Sequence, residues 1–267
     1  MPLPVRHALS AAALLMGLQA QAQEAEAPPA PAEAASAPLA NSAMDAPLFY
    51  QLLIGELELQ SGQAGVAFQV LLDAARRTGD EALFKHVVNI ALRARAGDQA
   101  LMAARAWTQV APLSADAQQT VLQLLALMNK PEEAVEPLRL LLQLTPEPQR
   151  VGVLVSLPRL FQRAPQPGQV LSAFEGLLRS QTGPLKAAAL YTEARLSQQA
   201  GDSARALQAT QALAQALPDG DDAMQLAVDL LPQQPRAEDL IRARLQQQPD
   251  QHALRQAYAR ALVKSQR

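Results

Sequence analysis

The 267 residues are 49% hydrophobic but only 3% aromatic, and 23 basic against 25 acidic side chains give a formal net charge of −2. That balance argues against a general nucleic-acid binder, which needs a basic excess to neutralise phosphates; the lack of cysteine excludes disulfides, thiolate metal sites and a cysteine nucleophile. A core short of large rings must be assembled from Ala, Leu and Val, which suits closely packed helices better than a β-sandwich or an α/β enzyme.

Arg6 and His7 precede the apolar stretch ALSAAALLMGL (8–18), followed by the small-x-small pattern Ala20-Gln21-Ala22. Residues 1–22 therefore read as a signal peptide cut after Ala22, which makes the protein exported and periplasmic. The apolar stretch is about half of the roughly 20 residues that span a bilayer, so no stable membrane anchor is expected. Cleavage removes Arg6 and leaves 22 basic and 25 acidic residues, a net charge of −3. Residues 23–46, QEAEAPPAPAEAASAPLANSAMDA, carry prolines at 28, 29, 31 and 38, and their apolar content is nearly all alanine. Such a segment reads as a disordered tether.

From Pro47 to the end (47–267) the text is helical almost throughout. Runs of 12–16 residues place apolar side chains at i, i+3, i+4 and i+7, as in Leu52, Leu53 and Leu57 and in Val121, Leu124, Leu125 and Met128. One set of breaks falls at Ser61-Gly62-Gln63, Ala96-Gly97-Asp98, Asn129-Lys130, Ala164-Pro165, Ala200-Gly201-Asp202 and Gln233-Gln234, with gaps of 35, 32, 36, 36 and about 33 residues. A second set falls between them, at Gly79-Asp80, Pro112, Pro146, Gly183-Pro184, Pro218 and Pro249. Two interleaved turn series predict about six helix pairs, one every 34 residues or so, followed by a terminal helix over 250–267. On this count the second unit is two residues short between Gly97 and Pro112.

Each pair also repeats its small residues. With Gly201 at the turn, Ala194 sits in the first helix, Ala206 early in the second, and Pro218 closes the unit; Ala134 and Pro146, then Ala237 and Pro249, fall likewise, and the first unit has Gly55, Ala67, Ala74 and Gly79. This pattern resembles the tetratricopeptide repeat over residues 47–249, with leucines where that family has large aromatics. The resemblance implies an all-α, right-handed superhelical solenoid plus a C-terminal capping helix. It also implies a protein or peptide partner held on the concave face.

Chemistry is sparse. No Gly-x-Ser-x-Gly, His-Glu-x-x-His or Gly-x4-Gly-Lys-Ser/Thr motif occurs, and His86 and His252 lack a ligand partner at i+4. The pairs Glu132-Glu133, Asp221-Asp222 and Glu238-Asp239 lie at helix starts, where they complement the dipole. No enzyme, cofactor or metal site is therefore expected. The expected function is a non-enzymatic periplasmic scaffold in envelope assembly or secretion. The alternative is a regulatory or substrate-recruiting subunit of a separate cell-envelope enzyme. Candidate groove residues are those projecting from first helices: Phe49, Leu52 and Glu56; Lys85 and Asn89; Gln119 and Gln123; Tyr191 and Arg195. Lys85 and Asn89, at i and i+4, resemble the clamp with which some family members grip a peptide carboxylate. Trp107 falls on a second helix and is expected to pack between repeats.

Overall fold

The computed structural model describes residues 45–264; the expected signal peptide and nearly all of the expected tether lie outside the described residues. Thirteen helices and no strand occur among them. They are α1 (Ala46–Gln60), α2 (Ala64–Thr78), α3 (Glu81–Arg93), α4 (Gly97–Val110), α5 (Ala115–Leu127), α6 (Val135–Leu144) and α7 (Glu147–Leu160). Then follow α8 (Pro167–Arg179), α9 (Pro184–Gln199), α10 (Ser203–Ala216), α11 (Asp222–Leu230), α12 (Ala237–Gln247) and α13 (His252–Lys264). The expected six pairs are α1/α2 through α11/α12, and α13 is the terminal helix.

Polar residues start several of these helices. The carboxylates of Asp45, Asp80 and Asp202 accept from the amides of Leu48, Ala82 and Arg205 at 2.8, 2.8 and 3.0 Å, and Ser114 Oγ accepts from Ala117 at 3.2 Å. Each satisfies a donor that the first turn leaves without a helical partner. Asp45 and Ala46 thus belong to α1 rather than to the tether.

The inner turns are set by residues in the left-handed region: Gly62 (φ 86°), Arg95 (φ 57°), Asn129 (φ 55°) and Gly201 (φ 76°). This corrects the register of the second unit. Its turn residue is Arg95 and not Gly97, which is already the first residue of α4. From Gly62, Arg95, Asn129 and Gly201 the closing residues Gly79, Pro112, Pro146 and Pro218 each lie 17 positions on, so the second unit is not short. Five positions after the same four residues stand Ala67, Ala100, Ala134 and Ala206, all with 0% exposure. Ala237, in the sixth unit, is equally buried. These alanines sit where two helices approach too closely for a larger side chain. At Gly55 a Cβ would come within 2.5 Å of the buried Leu71 side chain, so α1 and α2 touch through the glycine.

The fourth unit departs from the pattern and repairs itself differently. Pro158 lies inside α7 and has no N–H to give the carbonyl of Leu154, one turn back. The fully buried Thr192 of α9 donates its hydroxyl there at 2.9 Å, sharing it with the Ala188 carbonyl at 2.8 Å. Gln199 Nε2 donates to the Pro158 carbonyl at 2.9 Å. The fifth unit thus supplies the one donor that the proline took from the fourth, and a second donor to a carbonyl left open where α7 ends. Hydrophobic packing is continuous from Phe68 on α2 to Leu196 on α9, and two further clusters carry it from Ala194 to Ala261 on α13.

Candidate functional site

First helices α3 and α5 flank an open furrow of about 530 Å³. Four of the sequence candidates, Lys85, Asn89, Gln119 and Gln123, line it together. Helical spacing explains why: Lys85 with Asn89 and Gln119 with Gln123 are i, i+4 pairs, and the two helices lie side by side. The furrow is graded along its length. At the end where both helices start, Lys85 Nζ lies 2.5 Å from Asp116 Oδ2. In the middle stand Asn89, Gln119, Thr120 and Gln123, and at the far end Leu92 and Leu127, both exposed. The amides of Asn89, Gln119 and Gln123 form no hydrogen bond within the described chain and are exposed to solvent. Uncharged side chains that both donate and accept suit a peptide backbone, which needs both.

Lys85 does not act as a free clamp. Its ammonium is paired with Asp116 and also lies 5.5 Å from the centre of the Trp107 ring. The Asp116 hydrogen bond raises the lysine's pKa above its ordinary value of 10.5, against the lowering effect of desolvation and with help from the charges of Asp116 and Glu81. Trp107 is buried as expected, stacked on Phe84 with centroids 6.2 Å apart, and its Nε1 donates to Glu81 Oε2 at 3.1 Å. Ser114 Oγ donates to the same carboxylate oxygen. A carboxylate ligand would have to compete with Asp116 for Lys85.

A second furrow of about 430 Å³ adjoins the first across the ridge of Gln119 and Gln123, with α7 as its other wall. Gly152 stands on that wall, with nothing within 4 Å of where its Cβ would be. A mid-helix glycine costs about 1 kcal/mol relative to alanine. Among the described residues no side chain lies against it, so this stretch of α7 backbone is open to solvent. Sequence reasoning missed Gly152, Thr120, Leu92 and Leu127; helical phase alone relates the last three to the four that it found.

The remaining candidates are elsewhere. Arg195 is a bridge between repeats: Nη1 lies 2.8 Å from Asp229 on α11, Nε donates to the Tyr191 hydroxyl at 3.3 Å, and the guanidinium lies 5.6 Å from the Tyr191 ring centre. Burial acts to lower its pKa, but the bonds to Tyr191 and Asp229 outweigh that and leave it raised. Leu52 packs on the core, and Glu56 Oε1 lies 2.8 Å from His86 Nε2 on α3. Phe49 points to solvent. None of these five lines the furrow. Among the described residues no group of three or more His, Cys, Asp or Glu could hold a metal, and no helix is long and apolar enough to cross a membrane.

Small residues at the helix contacts and inner-turn residues 33, 34 and then 72 positions apart, the last spanning two units, set the period of the repeat. The chain is an all-α array of repeated helix pairs, similar in layout to tetratricopeptide repeats. No family model matches the chain, nor does any curated protein. Among solved structures, PilW, a widely conserved type IV pilus biogenesis factor, is 16% identical at a TM-score of 0.37, covering 80% of this chain and 99% of that one. YrrB, a TPR protein with an unusual peptide-binding site, is 13% identical at 0.35, covering 66% and 89%. The Naa15/Naa10 complex bound to HypK-THB offers a chain 18% identical at 0.42, covering 80% of this chain and 33% of that one. Likenesses this distant carry nothing about what this helical array binds.

Proposed function

We propose that this protein is an exported, non-enzymatic scaffold that holds an extended segment of a protein partner against its first helices. One observation carries the reading: three amides without internal hydrogen bonds, Asn89, Gln119 and Gln123, line a furrow that is polar at one end and apolar at the other. A side chain near Leu92 and Leu127 would be buried, while the amides hydrogen-bond to the partner's backbone. The Lys85–Asp116 pair leaves the starting end of the furrow without net charge from these two groups, and the side chains in its middle are uncharged, so the favoured segment is uncharged there.

Export rests on the reading of residues 1–22 as a cleaved signal; on that reading the scaffold works in the periplasm, in a role such as envelope assembly or secretion. Intact mass tests that part: a product starting at Gln23 supports it, and one still starting at Met1 contradicts it. For the furrow, in-cell crosslinking and mass spectrometry should compare the tagged protein with Asn89→Ala/Gln119→Ala/Gln123→Ala. Loss of one captured protein, with circular dichroism unchanged, supports the assignment. Undiminished capture removes it.

A further inference from the structure

Helix α1 is built inside out. Its polar side chains turn inward: Gln51 Nε2 donates to the Val70 carbonyl and to Asp73 Oδ2, both on α2 and both at 3.0 Å, while Glu56 meets His86 on α3. Five of its large apolar side chains turn outward, while Leu52 and Leu59 pack on the core. Phe49, Tyr50, Leu53, Ile54 and Leu57 are each between 43% and 62% exposed. Their spacing gathers them into one stripe, and the Phe49 and Tyr50 rings meet edge to face with centroids 5.8 Å apart. A solenoid face that meets only water is polar. Helix α13, at the far end of the described residues, follows that rule apart from the isolated Val263, with exposed His252, Arg255, Arg260 and Lys264. Helix α1 breaks it.

We propose that α1 is the contact surface of a homodimer, with the stripes of two copies packed antiparallel about a two-fold axis near Leu53 and Ile54. Three features select a second copy as the occupant. The first is area: with about 200 Å² for a large side chain, the observed exposures leave roughly 500 Å² per copy, or about 1,000 Å² in total. That lies at the lower edge of what specific interfaces bury. The second is charge. Helix α1 has no basic residue and two glutamates, Glu56 and Glu58, so it offers nothing to anionic lipid headgroups. The start of the partner's α1 is already capped by Asp45, so charge excludes a lipid surface without favouring a particular offset between the two stripes. The third is closure. The polar face of α13 does not match the stripe, so head-to-tail growth is disfavoured, whereas a two-fold contact uses both stripes and stops at two. This inference is independent of the furrow between α3 and α5.

Sedimentation equilibrium of the purified chain tests it. The expected result is a monomer–dimer equilibrium with a dissociation constant on the order of micromolar. Leu53→Glu/Leu57→Glu should weaken it by at least about 100-fold, because each change acts twice in a symmetric contact. Helicity should be unchanged, since both side chains are exposed. The chain has no cysteine, so Ile54→Cys introduces a single thiol. Mild oxidation should link two copies through it, and should not do so for Met102→Cys on the exposed face of α4. A wild-type monomer at every concentration reached overturns the proposal. So does a dimer that survives Leu53→Glu/Leu57→Glu, or assembly beyond two copies. An Ile54→Cys thiol that a maleimide cannot reach in a monomer overturns it too, by showing the stripe covered within one chain.

Discussion

Thr192→Val should be among the more damaging single changes outside the alanine contacts, and its effect should depend on a residue in the neighbouring unit. The substitution keeps the branched shape and removes only the hydroxyl. The Leu154 carbonyl would then have no donor, because Pro158 lacks the N–H that a helix would supply and Thr192 Oγ1 no longer reaches it at 2.9 Å. A buried carbonyl left without a partner costs about 1–3 kcal/mol. The Ala188 carbonyl, which shares the hydroxyl, keeps its own helical donor and adds little. In a Pro158→Ala background the missing N–H returns, so Thr192→Val should then cost under about 0.5 kcal/mol, a coupling of roughly 1–2 kcal/mol. Urea unfolding of the four proteins by far-UV circular dichroism measures this. Equal costs of Thr192→Val in both backgrounds would refute the compensation.

Three more outcomes follow from the same geometry. Arg95→Gly should stabilise the protein by about 0.5–1 kcal/mol in urea melts, since an exposed arginine with left-handed backbone gains nothing there that glycine lacks. Ala100→Leu should destabilise it by at least about 1–3 kcal/mol by overpacking the α3/α4 contact, whereas a change at the exposed neighbour Gln99 should fall within about 0.5 kcal/mol. Binding in the furrow should not vary between about pH 6 and 9 on account of Lys85. Its raised pKa means that the pair with Asp116 contributes fully below 10.5 and is lost only as pH climbs past that value. Fluorescence of Trp107, the only tryptophan and in contact with Lys85, reports occupancy during such a titration.

The helix breaks were legible in the sequence to within a few residues, because glycine, asparagine and proline announce most of the turns and closures chemically. Arg95 was not, since arginine carries no turn signal. Only the phase it keeps with Ala100 and Pro112 reveals it, and Gly97 two positions later is the more obvious choice. The furrow was legible through i, i+4 spacing on α3 and α5. The α1 candidates lie away from the furrow for a physical reason: that helix is apolar on nearly every side, so periodicity could not tell that Gln51 and Glu56 meet neighbouring helices and Phe49 faces outward. Contacts between units, such as Arg195 with Asp229 or Thr192 with Leu154, join residues 34 and 38 positions apart. Nothing local marks them. Pro158 could be read as a disruption of its helix, but not the hydroxyl that relieves it.

The wall shared by α3 and α5 is tested most directly by placing a photoreactive side chain at Gln123, with Met102 on the exposed face of α4 as the comparison site. Irradiation in cells should give an adduct from position 123 that maps to one continuous stretch of a single partner, and none from position 102. Equal adducts from both positions, or adducts from position 102 alone, would contradict a partner held against the first helices.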